Sequence, residues 1–102
     1  MAIALNVLNQ SNLTTQRFSA GNKANIEICI DKNSIFGTAK LLIKEFVDDN
    51  FEGYICTQPN VKAEFTDANQ IIPLNNIKNG SFFMLEIINA DITTNIITTY
   101  IY

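Results

Sequence analysis

The sequence of this 102-residue chain predicts a single, mainly β domain spanning residues 1–102, either a small antiparallel β-sandwich or a jelly-roll-like fold. Three observations favour this class. Apolar and polar residues alternate in short segments, and Asn and Gly separate these segments. Hydrophobic residues make up 47% of the chain, which is enough for one core without a metal or a disulfide bridge. We also expect one short helix near residues 38–49, with an α+β fold as the alternative.

Three segments in the first two thirds of the chain have the pattern of strands. Residues 2–8 are mostly apolar and precede a polar loop over residues 9–16. Residues 26–31 alternate between apolar and polar side chains, and residues 61–66 do the same. Because successive side chains of a strand point to opposite faces of the sheet, both alternating segments would turn one apolar face to the core.

Residues 38–49 are the segment whose apolar side chains fall at helical spacing. The apolar positions that would share one helix face are Ala39, Leu42, Ile43, Phe46 and Val47. A strand would instead point Glu45 toward the core. A helix is therefore favoured, with Thr38 as its N-cap and Asn50 as the left-handed residue after its end.

A hairpin is predicted in the last third of the chain. Asn79-Gly80 lies between residues 71–77 and 81–88, and this dipeptide suits both positive-φ positions of a type I′ turn. Pro73 cannot donate a backbone hydrogen bond, which makes the first arm an edge strand. The second arm is apolar on both faces except at Glu86, so we expect a central strand there.

The chain offers few residues for catalysis, and we predict no enzyme, no catalytic residue, no cofactor and no metal site. Histidine, the usual general base and the commonest metal ligand, does not occur in the sequence. Two turns begin like calcium loops at Asp31 and Asp67, but apolar residues occupy later ligand positions. A cluster of carboxylates is interpreted as a solvated acidic tip. Its members are Glu45, Asp48, Asp49 and Glu52.

Charge and hydropathy exclude several kinds of partner. The formal charge is −3 and the seven basic residues are scattered from Arg17 to Lys78, so we expect no nucleic-acid partner. We also expect no membrane span and no secretory signal, because the apolar stretches are short and residues 1–8 lack a basic start. Cys29 and Cys56 are expected to be free thiols.

The two ends of the chain carry the most informative pattern. Every charged side chain lies between Arg17 and Asp91, and the β-branched and aromatic residues of 92–102 predict a last strand. An uncharged strand without proline recruits other strands unless something covers it. Either the ends pair with each other in one sheet, or they contribute to an intersubunit interface. The interface candidates are Ile3, Leu5, Val7, Ile96, Ile97, Tyr100, Ile101 and Tyr102.

A small, acidic β-domain rich in Ile, Asn and Thr, with the start Met1-Ala-Ile-Ala-Leu and uncharged ends, resembles the minor structural proteins of bacteriophage particles: capsid decoration, penton or fibre-base domains. The resemblance covers the texture of the whole chain and no defining motif, so it carries over no functional residue. It implies a virion protein, assembled in the host cytoplasm, that contacts itself or a major capsid or other virion protein and has no small-molecule substrate.

Two other functions are compatible with the same residues. A small acidic inhibitor or regulatory binding protein of mobile-element origin would present the acidic stretch from Glu45 to Glu52 to a basic surface. An adhesion or carbohydrate-binding sandwich would stack Tyr54, Tyr100 and Tyr102 on sugar rings.

Overall fold

The computed structural model describes residues 2–19 and 24–101, and within them the chain forms nine strands, all paired antiparallel. Sheet A has the strand order β1-β9-β2-β7, sheet B has the order β4-β3-β8, and β5 pairs with β6. In chain order the strands are β1 (Ala2–Asn9), β2 (Ile26–Ile30), β3 (Lys40–Val47), β4 (Asn50–Tyr54), β5 (Cys56–Gln58), β6 (Val61–Lys62), β7 (Gln70–Leu74), β8 (Ser81–Ile88) and β9 (Asn95–Ile101).

Sheets A and B share one hydrophobic core, which confirms the predicted β-sandwich. The alternation of side chains along each strand decides which residues enter it. Sheet A contributes Leu8, Ile26, Ile28, Ile30, Ile72, Leu74 and Ile96. Sheet B contributes Leu41, Ile43, Phe83, Leu85 and Ile87. Each of these large side chains stabilises the fold by roughly 1.5–3 kcal/mol relative to an exposed position.

Loop segments complete sheet B by pairing with strands that would otherwise end it. Phe18 and Phe83 exchange both backbone hydrogen bonds, at 2.9 and 2.8 Å. Leu41 and Phe65 do the same, at 2.9 and 3.0 Å. As a result, β8 has a partner on each side although it is the last strand of its sheet.

The helix predicted at residues 38–49 is wrong, because residues 40–47 form β3 and no helix occurs in the described part of the chain. Leu42 and Phe46 are buried on the outer side of β3, so both faces of this strand are apolar and imitate helical spacing. Glu45 does point inward, but it is only half-buried and lines a cleft at the open side of the sandwich. The cost of burying a carboxylate, which argued against a strand, is thereby avoided.

The hairpin predicted at Asn79-Gly80 is also wrong, because β7 belongs to sheet A and β8 to sheet B. The chain crosses between the sheets through left-handed turns at Asn76, with φ of 58°, and at Gly80, with φ of 84°. Pro73 lies in an edge strand as predicted. Local turn chemistry identified a change of direction but not the sheet to which the next strand belongs.

The remaining predicted strands are present, although one of them is shorter than expected. β1 and β2 lie where the sequence placed the first two strands, and β9 begins at Asn95 after a turn closed by the Thr94 amide and the Asp91 carbonyl. The alternating segment 61–66 pairs as a strand only over Val61–Lys62. Beyond it, the amide of Phe65 donates to Leu41 instead.

Two buried threonines predict opposite responses to one substitution. The Thr98 side chain is 1% exposed and its hydroxyl has no hydrogen-bond partner in the described part of the protein. The Thr94 hydroxyl donates to the Phe36 carbonyl at 2.9 Å and accepts the Asp91 amide at 3.0 Å. Thr98→Val should raise the free energy of unfolding by about 1 kcal/mol, because an unpaired buried hydroxyl is removed. Thr94→Val should lower it by about 1–3 kcal/mol.

Urea unfolding followed by circular dichroism measures both changes, with each threonine variant serving as the control for the other. A loss of stability in Thr98→Val as large as that in Thr94→Val would contradict this account of the two hydroxyls.

Candidate interaction surfaces

The two terminal strands pair with each other, as in the first of the two alternatives for the chain ends. Val7 lies opposite Ile97 and Leu8 opposite Ile96 in the β1–β9 register. β9 is an interior strand with partners on both sides, whereas β1 is the edge of sheet A. The C-terminal strand is therefore fully paired within one chain, and the N-terminal strand is paired on one side.

The predicted interface residues fall on two opposite faces of sheet A, because successive side chains of a strand alternate in direction. Ile96 is fully buried in the core, and the Tyr100 ring stacks on Phe18 with centroids 4.3 Å apart. Val7 is 39% exposed and Ile97 is half-buried on the opposite, outer face. For the other candidates the structure gives positions along the strands: Ile3 falls in the irregular part of the β1–β9 register, Leu5 is aligned with Thr99, Ile101 is aligned with Glu27, and Tyr102 lies outside the described residues.

The outer face of sheet A, which we name the apolar face, carries almost no charge. Cys29 lies between Thr99 and Ile71 in the register, so the face is continuous across three strands. Ile71 is 59% exposed. The exposed and half-buried side chains of the apolar face are Val7, Asn9, Glu27, Cys29, Ile71, Pro73, Asn95, Ile97 and Thr99, of which Glu27 is charged. A second carboxylate, Asp31, lies at the end of this face beside Cys29 and Ile97. Exposed apolar side chains grouped in this way are typical of an interaction surface.

The outer face of sheet B carries a bonded group of polar side chains, beside which the Phe51 ring is 52% exposed. Lys44 Nζ lies 2.9 Å from Glu86 Oε2, and the Tyr54 hydroxyl donates to Glu86 Oε1 at 2.8 Å. Burial alone would raise the pKa of Glu86, but the hydrogen bonds from Lys44 and Tyr54 outweigh it and the pKa is lowered. The hydrogen bond to Glu86 in turn raises the pKa of Lys44. This carboxylate therefore holds two strands and the Tyr54 ring in one arrangement.

Cations also cover aromatic rings on this face. The Arg17 guanidinium lies 3.9 Å from the centre of the Phe46 ring and 3.3 Å from the Asp49 carboxylate. Lys62 Nζ lies 4.1 Å from the centre of the Tyr54 ring. With Lys62 over Tyr54 and Tyr100 stacked on Phe18, neither tyrosine stands free for a sugar ring.

The four acidic residues of the middle segment separate into two pairs. Asp48, with φ of 54°, and Asp49 form the turn between β3 and β4. Glu45 and Glu52 instead line a cleft of about 400 Å³ whose wall includes apolar side chains. The register shifts between Glu45 and Phe46, and the resulting β-bulge inserts Glu52 as an extra residue. The remaining lining residues include Val47, Ile55, Leu74, Ile77 and Phe83.

Asp91 joins two loops at one end of the sandwich, a role that the sequence analysis missed. Its carboxylate accepts the amides of Thr93 at 2.8 Å and Thr38 at 3.0 Å, together with both of their hydroxyls. These bonds lower the pKa of Asp91 from its usual 3.8 to about 2, and the bonds from Thr93 have the largest effect. Gly37, at φ of 59°, makes room for this contact, because a Cβ there would collide with the Asp91 carboxylate. The turn at Asp91–Thr93 had a local signal, an Asp two residues before a Thr, but the contact with Thr38 had none.

Comparison of the chain with protein-family models, with curated proteins and with solved structures finds no match. In the described residues no helix is long and apolar enough to span a membrane, and no group of three or more metal-ligating side chains comes together. Cys29 and Cys56 are free thiols, as expected from the sequence. The outer faces of the two sheets and the cleft at Glu45 and Glu52 are therefore the candidate functional sites.

The Asp91 contacts predict a pH-dependent stability. Because the pKa is depressed in the folded protein, the ionised carboxylate stabilises the fold above pH 3.8, and this contribution is lost as the pH falls toward about 2. Asp91→Asn should therefore lower Tm at neutral pH and flatten the decrease of Tm in acid, so that the variant and the wild type converge near pH 2.

Thermal unfolding at several pH values checks this expectation. Asp67→Asn, which changes an exposed carboxylate in another loop, is the control and should keep the acid dependence because Asp91 is intact. Parallel Tm profiles of the wild type and Asp91→Asn would contradict the assignment.

Proposed function

We propose that this protein is a non-enzymatic structural or assembly protein of a virus particle, of the kind that bacteriophages use for decoration, penton or fibre-base positions. It acts through protein–protein contacts made by its terminal strands, and it is located in the virion. The observation that carries the proposal is the apolar face, on which Val7, Ile71 and Ile97 lie together, with Glu27 and, at one end, Asp31 as its carboxylates.

The contrast between the two outer faces supports this function. On sheet B, Lys44, Glu86 and Tyr54 bond to one another, and Phe51, which is 52% exposed, packs its ring against Phe46 and Tyr54. On sheet A, Val7 and Ile71 are exposed at 39% and 59% and no ion pair of the described residues lies over them. Each Å² of apolar surface that a partner removes from water contributes roughly 25 cal/mol to association. A major capsid protein or another virion protein with an apolar patch fits this face.

Incorporation into particles tests the proposal. The chain should be found by mass spectrometry in purified particles at a fixed ratio to the major shell protein. Ile71→Lys should reduce incorporation about tenfold or more, because it replaces a 59% exposed apolar side chain of the docked surface with a charge. Ile92→Lys is the matched control, since Ile92 is 88% exposed and lies outside the apolar face. This variant should be incorporated as well as the wild type. Absence of the chain from purified particles would refute the function.

A second candidate function, a small acidic inhibitor or regulatory binding protein of mobile-element origin, is favoured by the cleft at Glu45 and Glu52. The cleft is lined by two carboxylates, one cation, Lys78, and apolar walls, so its net charge is negative. This lining suits a lysine or arginine side chain, whose stem is apolar and whose end is charged. In this function the cleft receives a basic segment of the inhibited protein.

Calorimetric titration with an arginine-rich peptide tests the second candidate. The double variant Glu45→Gln with Glu52→Gln should weaken binding about tenfold or more. Glu64→Gln with Asp67→Asn removes the same charge away from the cleft and should bind like the wild type. Equal weakening by both double variants would show that only net charge matters and would eliminate the cleft as the site.

A further inference from the structure

The backbone of β9 shows which residues of sheet A point toward each neighbouring strand. The Asp31 amide donates to the Ile97 carbonyl at 2.8 Å, and Ile35 exchanges both backbone hydrogen bonds with Asn95, at 2.8 and 2.7 Å. The odd-numbered residues of β9 therefore direct their amides and carbonyls toward the β2 side. In an antiparallel ladder the alternate residues bond to the opposite neighbour, so the even-numbered residues of β9 bond to β1.

The register then fixes the orientation of the β1 backbone. The even-numbered residues Asn6 and Leu8 lie opposite Thr98 and Ile96 and use their backbone groups to bond to β9. The odd-numbered residue Leu5 directs its amide and carbonyl away from the sheet. β1 thus has an outer edge at which a further strand can bond.

Among residues 2–19 and 24–101, the contacts that cover this outer edge lie at its C-terminal part. Asn9 exchanges both backbone hydrogen bonds with Asn12, at 3.1 and 3.0 Å, and the Asn12 side-chain amide donates to the Val7 carbonyl at 2.7 Å. These contacts agree with the outward direction of the odd-numbered residues. They leave residues 2–6 as the open part of the edge.

The other sheet edges carry features that obstruct strand addition. At the far edge of sheet A, Pro73 lies opposite Glu27, an odd-numbered residue of β2 that bonds toward β9, so the missing Pro73 amide belongs to the outer side. On sheet B, the outer side of β8 is occupied by the segment 13–18. The β4 edge carries the charged residue Glu52. The register of β1 also shifts, between Ala2 and Leu5, so charge rather than regularity distinguishes the two edges. In the described structure, β1 is the edge strand of eight residues without proline, glycine or charge.

We propose that two copies of this chain pair antiparallel through residues 2–6 of β1, so that two four-stranded sheets become one eight-stranded sheet. The inference rests on the proposed assembly function and names its first partner, a second copy. Charge favours that partner: each chain has a net charge of −3, but no charged side chain precedes Arg17, so two β1 strands meet without like-charge repulsion. A two-fold axis supplies the same open edge from both copies.

Sedimentation velocity of the full chain at micromolar concentrations tests the proposal. The wild type should sediment with twice the 11.4 kDa mass of one chain. Leu5→Pro should raise the dimer dissociation constant about tenfold or more, because it removes an outward amide as Pro73 does at the opposite edge. Val7→Lys is the second variant and should also favour the monomer, since it places a charge beside the joined edges.

Ile71→Lys is the matched control, because it adds the same charge to the apolar face at the far edge, and it should remain dimeric. Circular dichroism shows whether each variant keeps its strands, and if Leu5→Pro does not fold, Val7→Lys decides. A monomeric wild type, a dimeric Val7→Lys, or dissociation of Ile71→Lys would each overturn the inference. None of these results alters the particle experiment, in which absence from particles refutes the proposed function and leaves the dimer intact.

Discussion

The rest of the structure depends on the alternation of side chains along strands that share a single core. A chain of 102 residues folded into two sheets places the inner face of each sheet against the other, and each sheet still has an outer face. The outer face of sheet B carries the Lys44–Glu86 ion pair, and the Arg17 guanidinium lies over the Phe46 ring. Sheet A leaves Val7 and Ile71 exposed. The difference between the two outer faces, rather than the common core, is the feature on which the proposed assembly function rests.

Antiparallel sheets also have edge strands, and each edge strand of this protein is protected from further pairing by different residues or to a different extent. Sheet B is closed by the segment 13–18, which forms backbone hydrogen bonds with β8, and sheet A ends at Pro73 on one side. The turn at Asn9–Asn12 covers the end of β1 and leaves residues 2–6 open. Edge protection has a physical purpose, because unpaired amides and carbonyls recruit other strands. The partly covered, uncharged edge of β1 is therefore the place where the proposed second copy would add its strand.

The sequence predicted features that depend on local alternation and failed where distant contacts decide. The pattern of β2 predicted a strand because one face is apolar and the other is not. β3 was mistaken for a helix because Leu42 and Phe46 are buried on its outer face, which removes the period of two. The turn after β7 was recognisable, but Gly80 cannot reveal that the next strand belongs to another sheet. The Asp91–Thr38 contact spans 53 residues of sequence and left no local pattern.

The uncharged ends also illustrate what composition can and cannot predict. Their lack of charge correctly indicated strands that need cover, and the structure shows that β9 obtains it from β1, from β2 and from the following residues Asp31 and Ile35. Composition could not separate Ile96, which faces the core, from Ile97, which faces outward, because adjacent residues on a strand differ only in direction. Only the register determines which of two similar isoleucines can meet a partner.

The geometry of antiparallel pairing links the open edge to the apolar face. Two copies joined side by side through β1 are related by an axis perpendicular to the sheet, because antiparallel neighbours in one sheet keep the same face on the same side. Val7 and Ile97 of one copy would then lie near those of the other, and the two apolar faces would form one surface of twice the area. A stable interface commonly buries about 800 Å² on each partner, which is demanding for so small a domain. Pairing through β1 would therefore strengthen docking through the apolar face, since two linked faces dissociate from a repeating shell less readily than one.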